Sequence, residues 1–170
     1  MSALRFAVSL LFVLGVHALG QRVVPGFAVY VDLFLVLTVA WAFETGTLGG
    51  LAVGLAAGLA ADALSGGLYG LNGFADTLIG YLTAFSVANL AKMNTSGASL
   101  LYAVAAVVQQ AVLIVLVVLL IPNGAPPPLL AVAGKTIATA LLGAAVFRGR
   151  KRFARAWGRW RHTRDSKLRF

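Results

Sequence analysis

The chain contains no cysteine. A disulfide framework, a thiolate nucleophile and a cysteine-based metal site are therefore excluded. It holds two histidines, His17 and His162, at opposite ends of its 170 residues. A histidine-based metal centre is not expected from that placement. Charge is scarce: 11% of residues are charged and 60% are apolar, with a mean hydropathy of +0.90. Soluble domains average about 45–50% apolar and roughly 25% charged residues. This chain has too little polar surface to cover a water-soluble globule, and too many apolar runs to stay unfolded. What is left is a polytopic α-helical membrane protein. A β-barrel is excluded because the apolar runs are continuous and do not alternate with period two.

Acid is rarer still, with 5 Asp+Glu against 14 Lys+Arg. Ten of the basic residues and one acid lie in 148–170, so that tail carries the whole net charge of +9. Residues 1–147 sum to zero.

Six segments approach the roughly 20 apolar residues that a membrane span needs. They are 4–19, 27–43, 47–64, 71–91, 99–121 and 129–147. Short stretches rich in Gly, Pro, Asn or Ser separate them, as turns require. Lysine and arginine near the spans set orientation. The tail, Arg5 and Lys92 fall on one side and Arg22 on the other, which places both termini in the cytoplasm. The N-terminal stretch also has a signal-peptide outline, and cleavage there would leave five spans. Val16 to Gln21 makes a poor cleavage site, so the first span is expected to be retained. The expected organisation is a six-span domain, 1–147, and a cytoplasmic tail, 148–170.

The third span carries small residues every four positions: Gly46, Gly50, Gly54 and Gly58. Such a stripe lets two helix backbones approach closely. Two uses stay open, a helix buried within its own chain and a surface offered to a partner. Asp62 closes this span, and a turn containing Gly66 and Gly70 follows.

Ionisable groups inside a span are costly and usually face protein or water. By depth, Asp76 lies roughly 8 Å and Lys135 roughly 9 Å below the outer surface. Lys135 is expected to pair with Asp76 or Asp62. At the inner edge, Glu44 and Lys92 end adjacent turns and are expected to meet. His17, Gln109 and Gln110 read as isolated interhelical hydrogen-bonding residues. Tyr30, Trp41, Tyr69 and Tyr102 read as belt aromatics. In the tail, Phe153, Ala156, Trp157 and Trp160 share one helical face, with Arg152, Arg155, Arg159 and Arg161 around it. This is either a lipid-facing amphipathic helix attracted to anionic lipid or a disordered topogenic tail.

The stretch 50–81 resembles the MreD family of rod shape-determining proteins. The features that carry the likeness are Gly54, Gly58, Asp62, Gly66, Gly70, Leu71, Gly80 and Tyr81. Val31-Asp32-Leu33 is similar to that family's Pro-Asp-Leu, with valine in place of proline. The resemblance implies a six-helix fold related to transporter S components. It also implies a non-enzymatic scaffold in the bacterial inner membrane, without a cofactor. The implied partners are a bitopic MreC-like protein, a RodA-like glycosyltransferase with its class B penicillin-binding protein, and indirectly MreB-like filaments. The rival reading is a vitamin-type S component, with Asp32, Asp62, Asn72, Asp76 and Lys135 lining an outward pocket. No nucleophile set, metal cluster or phosphate-binding loop supports catalysis. No reader fold supports nucleic-acid binding.

Overall fold

The computed structural model describes residues 3–66, 68–89, 95–121 and 127–166, with the side chains of 95 and 154–166 left out of the description. Every regular element among the described residues is a helix. They are α1 (Ala3–Val23), α2 (Phe27–Tyr30), α3 (Leu33–Ala42), α4 (Thr47–Ser65), α5 (Leu71–Asn89), α6 (Thr95–Leu120) and α7 (Leu129–Ser166).

Four helical segments are long and apolar enough to cross a membrane: Ala3–Val23, Thr47–Ser65, Ser96–Leu120 and Leu129–Phe153. The second and fourth expected spans differ from these. The second is broken. Val31 is extended, and Asp32 stands at the N-cap of α3, its carboxylate accepting from the Leu35 N–H at 3.0 Å. A carboxylate at this position satisfies a helix's first donors and ends continuity with the turn before it. α3 is therefore 10 residues long, about 15 Å, half the thickness of a bilayer core. The fourth, α5, has the length of a span but carries Asn72, Asp76, Thr77 and Thr83 along its course.

The shortest of the long-run elements is the most enclosed. In α3 every residue from Phe34 to Ala42 is buried. Its two sides organise two apolar clusters. Leu35, Val36 and Val39 meet Ile79 of α5 and Tyr102, Ala105 and Ala106 of α6. Phe34, Leu37 and Trp41 meet Val53 and Ala57 of α4, with Phe6, Leu10 and Val13 of α1 against them. The central position thus belongs to α3, and α4, the glycine helix, is buried along one face.

That face is the glycine stripe, and α5 fills it. A Cβ on Gly50 would lie 2.9 Å from the Gly80 carbonyl carbon, one on Gly54 2.6 Å from that of Asp76, and one on Gly58 2.7 Å from the Gly73 Cα. The partner numbers fall as the stripe numbers rise, so the two helices run antiparallel with backbones in contact. Gly46 is not part of this seam. It caps α4, and nothing lies within 4 Å of where its Cβ would be. The connecting turn needs two positive-φ residues, Gly66 at 65° and Gly70 at 100°. Only glycine adopts these without strain.

On the opposite side α6 packs along α7, where Gly143 receives the ring of Tyr102. Tyr102 is 2% exposed and Trp41 7%, so neither is a belt residue. α7 passes position 147 without a break and continues to Ser166. Phe153 is exposed. The expected face formed with Arg155, Trp157, Arg159 and Trp160 lies outside the described side chains.

Candidate functional site

Four helices meet at a buried polar group near the break before α3. Asp32 contributes its backbone and its carboxylate. Its N–H donates to Thr139 Oγ1 of α7 at 3.0 Å, and Lys135 Nζ stands 3.2 Å from its Oδ2. Lys135 and Thr139 are four residues apart and so share one face of α7. Gln109 of α6 donates through Nε2 to Asp32 Oδ2 at 3.2 Å and to Asp76 Oδ1 of α5 at 2.7 Å. Two carboxylates on the same side fix the amide with its NH2 toward them.

The lysine therefore pairs with Asp32, and the expected pair with Asp76 or Asp62 does not form. The break in the second span puts Asp32 within reach of the lysine. Asp76 is joined to the lysine only through Gln109 and Asp32. Gln109, 1% exposed, is the hub of the group and not an isolated polar residue. A clue was present: it sits mid-way along the most apolar span, where an amide needs a partner.

Asp62 has a separate task. It is fully buried, and its carboxylate accepts the backbone N–H groups of Gly70 at 2.9 Å, Asn72 at 3.1 Å and Gly73 at 3.0 Å. Asn72 Nδ2 adds a fourth donor at 2.8 Å. The first N–H groups of a helix have no intrahelical acceptor. The end of α4 thus supplies the cap for α5 across the turn, and a negative charge there also suits the helix dipole.

At the other end of the bundle Arg150 of α7 reaches the C-terminus of α3. Its guanidinium donates to the Ala40 carbonyl at 2.8 Å and pairs with Glu44. Glu44 was expected to meet Lys92, which lies outside the described residues. On α1, His17 is held against Gln21 by a 2.9 Å hydrogen bond and lies between the rings of Phe27 and Phe34.

Among the described residues no group of three or more His, Cys, Asp or Glu could hold a metal ion. A cleft of about 470 Å³ at the α4–α5 turn is walled by Leu68, Tyr69, Leu71, Phe74, Leu116 and Leu120. The Asp32 group does not line it.

These features define a polytopic helical membrane protein whose acidic side chains join its own helices. A family model described as rod shape-determining protein MreD matches residues 1–123. The chain belongs to the MreD family and is a rod shape-determining membrane protein. No curated protein and no solved structure matches it. The matched region covers α1 to the end of α6. Lys135, Thr139 and Arg150, all on α7, lie beyond it.

Proposed function

We propose that the chain is a non-enzymatic scaffold subunit of the bacterial cell-wall elongation complex, crossing the inner membrane six times with both termini in the cytoplasm. In this reading α3 and the turn before it complete the second crossing, and α5 makes the fourth. Partners are an MreC-like bitopic protein and a RodA-like glycosyltransferase with its class B penicillin-binding protein, and MreB-like filaments are coupled through them.

One observation carries the reading beyond family membership. Each of the four acids before the tail links its helix to another: Asp32 to α7, Asp62 to α5, Asp76 to α6 and Glu44 to α7. Acids tied up in this way, three of them buried, hold helices in register and leave little chemistry to offer a substrate. The glycine stripe is likewise occupied by α5, so partners must be gripped by the outer helix faces. These are rich in exposed apolar residues such as Leu11 and Leu19 of α1, and Val115 and Leu119 of α6.

Affinity purification in mild detergent tests this. MreC-, RodA- and penicillin-binding-protein-like chains should come down with the protein. Recovery of ATPase and transporter subunits with a tightly held nutrient would overturn it in favour of an S component.

A further inference from the structure

Two adjoining clefts between α1 and α7 share Val8, Ser9, Leu37, Ala40 and Val146 and form one groove over α3. Its mouth, about 580 Å³, holds Arg5, Glu44 and Arg150. Its inner stretch, about 460 Å³, is walled by Phe12, Val16, Val36 and Leu142. We propose that this groove binds an anionic phospholipid, with one acyl chain along the inner stretch and the phosphodiester at Arg5 and Arg150.

Length selects the occupant. From Arg5 to Val16 the groove follows eleven residues of α1, about 16 Å. That is close to half of the ~30 Å hydrocarbon core, the depth of one leaflet. A partner's transmembrane helix would need the full thickness. Charge selects the headgroup. Two guanidiniums face one carboxylate at the mouth, leaving one positive charge in excess. Arg5 acts electrostatically on Arg150. An anion between them relieves that repulsion, and guanidinium matches the geometry of a phosphate better than ammonium does. Arg150 is placed for this by the Ala40 carbonyl and Glu44. It lies twenty-one residues beyond the start of α7, about 32 Å along the helix, at the level of a headgroup. Basic pockets between membrane helices bind anionic headgroups in this way. The proposal holds whatever proteins the chain assembles with.

The full chain in non-ionic detergent, examined by native mass spectrometry, tests it. Phosphatidylglycerol and phosphatidylcholine of equal chain length are added in parallel, with sodium phosphate as a competitor. Phosphatidylglycerol should be retained at least about fivefold better, the change that corresponds to about 1 kcal/mol per basic residue. Arg5→Gln, at an exposed position, should remove that preference. Val8→Trp, which fills the groove without altering charge, should abolish retention, whereas Leu119→Trp on the far surface should not. Equal retention of the two lipids overturns the proposal. So does retention that survives Val8→Trp, which would assign the lipid to the basic tail. Displacement by inorganic phosphate alone would reduce the site to an anion hole. A cross-link from Val8→Cys to a second polypeptide in native membranes, with no lipid retained, would give the groove to a partner helix.

Discussion

The α4–α5 pair and the α3–α6–α7 group hold helices together by opposite means. In the first, backbone lies on backbone along a glycine stripe, and one carboxylate caps the neighbouring helix. In the second, side chains reach across: Lys135 to Asp32, Gln109 to two aspartates, Arg150 to Glu44. The first is local, a hairpin closed by a short turn. The second joins residues 33 to 110 positions apart. Close backbone packing gains stability from dispersion along its whole length and tolerates no added atom. A charged group gains it from a few contacts whose loss strands a partner in a medium of low polarity.

The largest effect is expected where a charge is stranded. Lys135→Ala should lower unfolding stability in micelles by about 3–5 kcal/mol, because Asp32 then stays buried without its cation. Asp62→Ala should cost about 2–3 kcal/mol, as four donors at the start of α5 lose a charged acceptor. Amide exchange should rise first at Gly70, Asn72 and Gly73, and protection there unchanged would show that the cap is dispensable. Gly54→Ala should cost about 1–3 kcal/mol, the range for overpacking, despite alanine's better helix propensity. A stabilised variant would mean that the seam is open. Glu44→Gln should change thermal stability by no more than about 1 kcal/mol, since that pair is half exposed.

The same contrast explains what the sequence reveals. Glycine every fourth residue, an aspartate and a glycine turn write the α4–α5 hairpin into consecutive positions, and of the four stripe glycines Gly46 stands outside the contact. The four-helix polar group leaves no such trace, because its members approach only after the chain has folded. Its residues were nameable one at a time from the cost of burying them, but not as pairs. Asp32 misled most. Read as a charge inside a continuous span, it is a cap that breaks the span, and the break moves it into reach of Lys135. An aspartate followed by ten uninterrupted apolar or small residues is a helix-start signal. Tyr102 and Trp41 misled because aromatic residues near span ends suit the headgroup layer. Here Gly143 leaves room for the Tyr102 ring, and Phe6 packs edge-on against that of Trp41.

The claim that interior charges exist to join this chain's own helices is tested most directly by a double-mutant cycle on Asp32 and Lys135, read from reversible unfolding in detergent. Asp32→Asn with Lys135→Met should recover much of what either single change loses, with a coupling of at least about 2 kcal/mol, inside the range found for contacting pairs. Losses that simply add, to within about 0.5 kcal/mol, would mean that the two residues do not hold α3 to α7.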